Sequence, residues 1–166
     1  SYMLLLSGLA EKGYTCYLVD MPCNLAVFGI NRAQNIIESE THIEHWIMSG
    51  HSLGGAMAAN YTAEHQDSTE GLILLGAYGT ESFQKDDFPV LLLHGSEDMV
   101  LDQEKLNDFK KMIGDFQEYQ IEGGNHAGFG TYGVQKGDGE AFISSEEQRN
   151  KAITAIDLYI KEYIYN

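Results

Sequence analysis

The stretch "HWIMSGHSLGGAMAANYTAEHQ", residues 45–66, carries the pattern that decides the fold. Residues 45–50 form an apolar run typical of a buried strand, and residues 53–66 are rich in helix formers. Between them, "GHSLG" (residues 50–54) matches the pattern G-x-S-x-G. A strand-to-helix turn this tight strains its central residue and exposes its side chain at the carboxyl end of the strand. The stretch therefore predicts that Ser52 is a nucleophile. The alternative is a serine that caps the helix in a turn of small residues.

The rest of the chain alternates between helical and strand patterns. Helices are predicted over residues 2–12, 31–40, 102–114 and from residue 145 onward, and strands over residues 14–20, 71–77, 89–95 and 118–124. Because parallel strands need crossover connections, which helices supply, this order predicts a three-layer α/β/α sandwich around a mostly parallel sheet. The whole chain, residues 1–166, is expected to form a single domain.

Two helix ends carry specific signals. The apolar face predicted for the first helix consists of Met3, Leu4, Leu6, Leu9 and Ala10. Gly13 is expected to end that helix, because glycine readily adopts the left-handed conformation that follows a helix. At the start of the last helix, Ser145 and Gln148 have the spacing of a capping box.

Composition and charge exclude several classes of function. With 43% hydrophobic and 21% charged residues, the chain is typical of a soluble globular protein. Its net charge of −15 argues against a nucleic-acid partner, which needs clustered lysine and arginine, and against an acidic membrane surface. No apolar run approaches the roughly 20 residues of a membrane span, so no membrane insertion by this segment is expected. Cys16 and Cys23 are expected to be free thiols.

A serine nucleophile needs a base, and the base needs a carboxylate to orient it. On this fold the acid and then the histidine follow the serine along the chain, each in a loop just after a strand. Asp98 follows the strand at 89–95, and His126 follows the strand at 118–124. Since the carboxyl ends of parallel strands share one edge of the sheet, we expect Ser52, Asp98 and His126 to meet there. Glu97 and Asp102 are rivals for the acid, although Asp102 also has the position of a helix N-cap.

Other histidines have competing interpretations. His51 lies beside the serine, but its turn position is expected to aim it away from the hydroxyl. His94 ends a strand, where a buried histidine bonded to the backbone is the simpler interpretation. His42 and His45 form an H-x-x-H pair without a carboxylate or cysteine at ligand spacing, so no metal site is predicted.

Three motifs together resemble the α/β-hydrolase superfamily. They are "GHSLGGAMAA" (50–59), "LLLHGSEDMV" (91–100) and "IEGGNHAGFGTYGVQKGDG" (121–139), and they look like a small bacterial branch close to dienelactone-hydrolase-like proteins. The resemblance covers nearly the whole chain from Tyr2. It implies Ser52 as nucleophile, Asp98 as acid, His126 as base and the backbone amide of Leu53 as one oxyanion donor. Dienelactone hydrolases proper use a cysteine at the position of Ser52, so their substrate is not carried over.

Two differences from that family affect the expected fold and the expected oxyanion site. Relatives begin with strands that precede the Tyr2 helix, one of which ends in a Gly-rich loop that supplies a second oxyanion amide. Nothing in this sequence matches them, so the resemblance implies that the chain lacks the N-terminal strands of its fold. Only "YGTESFQKDDF" (78–88) stands where larger relatives carry a helical lid, so no cap domain is expected.

The function predicted from these residues is a serine hydrolase that cleaves a small ester, thioester or lactone through an acyl-enzyme on Ser52. No metal or organic cofactor is expected, and the partner is a small-molecule substrate. In the loop from residue 125 to 144, Phe129, Tyr132 and Gln135 either line the pocket or pack the loop down. The alternatives are an acyltransferase and a non-catalytic binding module on the same fold. Substrate identity, oligomeric state and localisation are not predicted.

Overall fold

The structure, a computed structural model, describes residues 2–19 and 32–165. Asp20, Cys23 and Asn31, which belong to predictions made above, lie outside the described residues. The described elements are, in chain order, α1 (Met3–Glu11), α2 (Arg32–Ser39), β1 (Ile47–His51), α3 (Leu53–Glu64), β2 (Gly71–Leu75), β3 (Val90–Gly95), α4 (Gln103–Lys110), β4 (Phe116–Ile121), a short 3-10 helix (Ala127–Phe129), α5 (Ser145–Tyr159) and a π-helical end (Ile160–Ile164).

The four strands form one parallel sheet in the order β1-β2-β3-β4. The β1–β2 crossover contains α3 and the β3–β4 crossover contains α4, whereas residues 76–89 join β2 to β3 without a helix. The β2–β3 connection is short, and no cap domain stands between these strands. All four carboxyl ends therefore lie at one edge of the sheet.

Two apolar clusters cover the two faces of this sheet. Because side chains alternate along a strand, Leu72 and Leu74 face one cluster, while Ile73 and Leu75 face the other. The first cluster includes side chains of α3 and α4, and the second includes side chains of α1 and α5. β2 and β3 are buried along their whole length, which explains their continuous apolar runs. The predicted three-layer α/β/α sandwich is confirmed.

The first helix forms, and of its predicted apolar face Leu9 packs against the second cluster, but the rest of that face is not buried. Leu5 is the buried residue of α1, whereas Met3 and Leu4 are exposed. The face is set by α5, because Leu5 packs in the cluster that contains α5 residues and the position of Gly8 lies against the side chain of Ile153. Gly13 has φ +99° and follows the end of the helix, as expected.

The predicted strand at residues 14–20 is not a strand over its described part, residues 14–19. A strand needs a hydrogen-bonded neighbour, and no described strand pairs with this segment. β1 also differs from its prediction, because it is half-buried rather than fully buried. β1 is an edge strand of the described sheet, where it pairs with β2.

The capping box of the last helix is displaced by one residue. Ser144, not Ser145, is the N-cap, and its hydroxyl accepts a bond from the amide of Glu147. Gln148 is instead fully buried and serves the loop before the helix, as described below. Within the described ranges, no helix has the length and apolar character needed to cross a membrane.

Candidate active site

Ser52 lies at the turn between β1 and α3, in a strained backbone conformation. Its φ is 54° and its ψ is −127°, and it is the only non-glycine residue with positive φ in the described part of the chain. Such a conformation costs a residue with a Cβ about 1–2 kcal/mol. The serine side chain makes no capping hydrogen bond to α3, so the helix-capping alternative is wrong. The hydroxyl is therefore not committed to stabilising the helix that follows it.

Close backbone packing explains two of the glycines around Ser52. A Cβ on Gly50 would stand 2.5 Å from the carbonyl oxygen of Gly54, and one on Gly55 would collide with Ala77. A Cβ on Gly54 would meet nothing within 4 Å. The turn therefore requires Gly50 and Gly55, whereas the space around Gly54 would admit a side chain.

Asp98 and His126 form a buried pair at the carboxyl ends of β3 and β4. His126 Nδ1 lies 2.9 Å from Asp98 Oδ2 and 3.1 Å from Oδ1, and their side chains are 1% and 0% exposed. Asp98 Oδ1 also accepts bonds from the backbone amides of Val100 and Leu101, which fix the carboxylate. Because a carboxylate only accepts, Nδ1 donates to Asp98, and in the neutral form of the ring Nε2 then carries the lone pair.

That lone pair has no partner among the described residues. His126 Nε2 is buried and makes no hydrogen bond, so the bond from the Ser52 hydroxyl is not formed in this structure. Ser52 is nevertheless close by, because its amide donates to the carbonyl of Leu75, and the next residue, Gly76, packs against both Asp98 and His126. The structure thus brings the three predicted residues to one sheet edge, and their roles stay predictions.

Three further side chains hold the His126 turn. The carboxylate of Asp138 accepts bonds from the amides of His126 and Ala127 at 3.1 and 2.8 Å. Fully buried Gln148 accepts from the amide of Asn125 and donates to its carbonyl. His51 Nε2 lies 3.0 Å from the carbonyl oxygen of His126. The sequence pattern alone does not predict this role for any of the three residues. One feature of the sequence could indicate such a contact. Gln148 is polar, yet it lies four residues before buried Ala152 and therefore on the same face of the last helix.

The residues proposed for oxyanion and substrate binding have different surroundings. Leu53 is the first residue of α3. The first backbone amide of this helix that donates a helical hydrogen bond is that of Ala56, so the Leu53 amide lies before the hydrogen-bonded part of the helix. Tyr132 is 41% exposed, and its hydroxyl donates to Gln135 Oε1 at 3.1 Å. Phe129 is fully buried in the apolar cluster on the α5 side, which agrees with the alternative that it packs the loop down.

The rival residues have structural partners elsewhere. Asp102 is the N-cap of α4, where it accepts from two backbone amides. Glu97 Oε1 accepts from the hydroxyl of Ser96. Buried His94 bonds to Glu118 through Nε2, and His45 bonds to Glu70. Within residues 2–19 and 32–165, no group of three or more His, Cys, Asp or Glu is placed to hold a metal ion.

A groove of about 700 Å³ lies between β4 and α5, away from these residues. Its walls include Tyr119 of the strand and Thr154 and Leu158 of the helix. Ser52, Asp98 and His126 are not among the residues that line it. The candidate site is therefore the sheet edge and not this groove.

The comparisons with known proteins agree with this architecture. A family model described as "Alpha/beta hydrolase family" matches residues 1–150, and the chain belongs to this family. No protein in the curated collection matches its sequence. Among solved structures, it is similar to a monoacylglycerol lipase of Paleococcus ferrophilus, with 14% identity and a TM-score of 0.69 over 95% of this chain and 89% of that one.

Two other solved structures share the fold. A CIB-like hydrolase of Thermoplasma acidophilum matches with 16% identity and a TM-score of 0.54 over 80% of this chain. The match covers 60% of that hydrolase, so this chain spans less than two thirds of its length. The esterase RhEst1 of Rhodococcus sp. matches with 15% identity and a TM-score of 0.57, over 83% of this chain and 73% of the esterase.

Proposed function

We propose that this protein is a serine hydrolase that cleaves a small ester, thioester or lactone through an acyl-enzyme on Ser52. The observation that carries the proposal is the buried Asp98–His126 pair with an unpartnered Nε2, which the bond between His51 Nε2 and the carbonyl oxygen of His126 joins to the strained serine turn. Buried polar atoms nearly always have a hydrogen-bond partner, so the unpartnered Nε2 of a histidine that Asp98 orients supports a role as a base. Membership in the hydrolase family supports hydrolytic activity in general.

In the proposed reaction, Ser52 Oγ attacks the acyl carbon while His126 Nε2 takes the hydroxyl proton. Asp98 holds the ring and stabilises its charged form, and the proton then passes to the leaving oxygen or sulfur. The hydroxyl–imidazole bond tightens when substrate binds, as it does in many enzymes whose free form has a longer distance. Water, activated by the same Nε2, then hydrolyses the acyl-enzyme.

The negative charge on the attacked carbonyl oxygen needs donors that do not move during the reaction. The Leu53 amide lies at the N-terminus of α3, before the first bonded helical amide, and the helix dipole favours an anion there. We assign this amide as one oxyanion donor.

The exposed side chains near the sheet edge favour an uncharged acyl group. Leu53 directly follows the serine and is 48% exposed, and Met99 directly follows Asp98 and is 71% exposed. Tyr132 adds an exposed ring whose centroid lies 6.1 Å from that of His51. The structural neighbours named as a lipase and an esterase act on ester bonds, which is consistent with this class of substrate.

A fluorophosphonate probe tests the proposal, because it reacts only with an activated serine. Wild-type protein, expressed from its full reading frame, is expected to label, and Ser52→Ala is expected to remove the label. Ser49→Ala is the matched control, since Ser49 is an exposed serine of β1 three residues earlier, and it should label like wild type.

The outcomes separate the candidate functions. Hydrolysis of p-nitrophenyl acetate that disappears with the label supports the hydrolase. Labelling with acyl transfer to an added alcohol, but without hydrolysis, would favour an acyltransferase. Absence of labelling in folded full-length protein, or labelling that persists in Ser52→Ala, would refute the nucleophile and favour a binding module on this fold.

A further inference from the structure

His51 connects the serine turn to the turn that carries His126. Its ring is buried, with Nε2 3.0 Å from the carbonyl oxygen of His126 and Nδ1 2.8 Å from the hydroxyl of Tyr2. The rings of His51 and His126 lie 4.5 Å apart between centroids. Phe129 and Tyr132 contact the same ring, so His51 has little freedom to rotate.

The partners of His51 determine which nitrogen carries its proton. A backbone carbonyl only accepts, so Nε2–H must donate to His126. In a neutral ring Nδ1 then accepts, and it does so from the hydroxyl of Tyr2. Burial and the neighbouring His126 lower the pKa of His51 to about 4, so the ring is neutral near pH 7. A directed chain of two hydrogen bonds therefore runs from Tyr2 through His51 to the backbone of His126.

The hydrogen bonds through His51 join His126 to a different part of the fold from its other supports. Asp138 belongs to the same loop as His126, and Gln148 belongs to α5, so these residues tie the turn to its own surroundings. His51 is the residue next to Ser52, and its bond ties the turn to β1 and the serine. The link holds even though no hydrogen bond joins Ser52 to His126 Nε2 in this structure.

We propose that His51 is a positioning residue that sets the distance between Ser52 and His126, and that Tyr2 holds it in the tautomer this requires. The proposal rests on the proposed function, in which Ser52 and His126 react together. His51 takes no part in the proton transfer, because both of its ring nitrogens are engaged elsewhere. Its contribution is to keep the base in place before substrate arrives.

The test compares three variants with two controls. His51→Leu keeps an apolar side chain of similar size but removes both bonds. His51→Gln restores a donor near the position of Nε2, and Tyr2→Phe removes only the distal hydroxyl. For His51, the control is His65→Leu, which removes a ring-to-carbonyl bond of 2.8 Å at the far end of α3. For Tyr2, the control is Tyr14→Phe, which removes the 2.8 Å bond from a tyrosine hydroxyl to Asp157.

We expect His51→Leu to lower kcat for p-nitrophenyl acetate by roughly 10- to 100-fold, with KM changed less than about twofold, because a misplaced base slows chemistry more than binding. His51→Gln should recover most of that loss, and Tyr2→Phe should lose about threefold. Both control variants should melt at a lower temperature but keep the wild-type kcat per folded molecule.

A second measurement does not depend on turnover. The His126 Nδ1 proton, held by Asp98, is expected to give a low-field NMR signal, and His51→Leu should make this proton exchange faster with water. If kcat and exchange in His51→Leu both match wild type, or if His65→Leu loses as much kcat, the proposal is overturned. If wild-type protein neither labels nor hydrolyses the ester, the proposed function fails. The positioning role is refuted separately if the His126 Nδ1 proton exchanges at the same rate in His51→Leu as in wild type.

Discussion

Gly76 offers the sharpest test of whether the Asp98–His126 geometry controls reactivity. It follows β2 with φ +53°, and a Cβ there would stand 2.9 Å from both Asp98 Oδ2 and His126 Nδ1. Ordinary contacts begin near 3.4 Å, so in Gly76→Ala the pair must shift by about 0.5 Å. Since a 1 Å misplacement costs about 100-fold in rate, we expect about a tenfold loss. The positive φ adds about 1–2 kcal/mol of destabilisation, and the crowding about 1–3 kcal/mol more.

The assay is the rate of fluorophosphonate labelling and of p-nitrophenyl acetate hydrolysis, each corrected for the folded fraction measured by circular dichroism. Gly13→Ala is the matched control, because Gly13 also has positive φ but a Cβ there meets nothing within 4 Å. It should lose stability from backbone strain while the labelling rate stays at the wild-type value. Gly76→Ala protein that labels as fast as wild type, once corrected, would refute the argument that the placement of this pair sets reactivity.

Three further predictions concern the same site. Ser52→Gly should be about 1 kcal/mol more stable than Ser52→Ala in urea unfolding, because only the alanine keeps a Cβ at φ 54°; equal stability would contradict the claim of strain. Asp98→Asn should lower kcat by about 10³- to 10⁴-fold, because its amide can impose the wrong tautomer on His126; a loss of less than about tenfold would show that the pair does not matter. Burial depresses the pKa of His51 from 6.5 to about 4, so between these values the unfolded chain binds a proton that the folded protein does not. Stability should therefore fall by about 3 kcal/mol as the pH drops through this window, and unfolding measured against pH should show a shallower slope in His51→Gln.

Local patterns in the sequence were enough to predict most of the architecture. Buried parallel strands such as β2 and β3 have continuous apolar runs, whereas helices repeat their apolar residues with the helical period. The alternation of strands and helices can therefore be predicted without knowing any tertiary contact. The strained turn at Ser52 was predicted for the same reason, because the glycines and small residues that permit it are its neighbours in the chain. Asp98 and His126 followed from chain order, since each lies just after a strand whose end the sequence marks.

Features that depend on distant partners were missed or wrongly predicted. Residues 14–19 have strand propensity, but a strand also needs a neighbour, and no described strand pairs with them. The buried face of α1 was misplaced because α5, more than 130 residues later, selects Leu5. The sequence leaves Phe129 either lining the pocket or packing the loop down, and its burial in the second apolar cluster agrees with the packing alternative.

The sequence by itself determined the layered α/β fold and predicted that Ser52, an acid from the loop after β3 and His126 meet at the sheet edge, because periodicity, turn chemistry and strand ends are local properties. Only the tertiary structure decided that Asp98 rather than Glu97 faces His126, that Nε2 of His126 is left without a partner, and that His51 joins the serine turn to the histidine turn. The physical reason is that hydrogen bonds and steric contacts act over a few ångströms in space. Segments 28 to 75 residues apart in the chain come within that range only after folding.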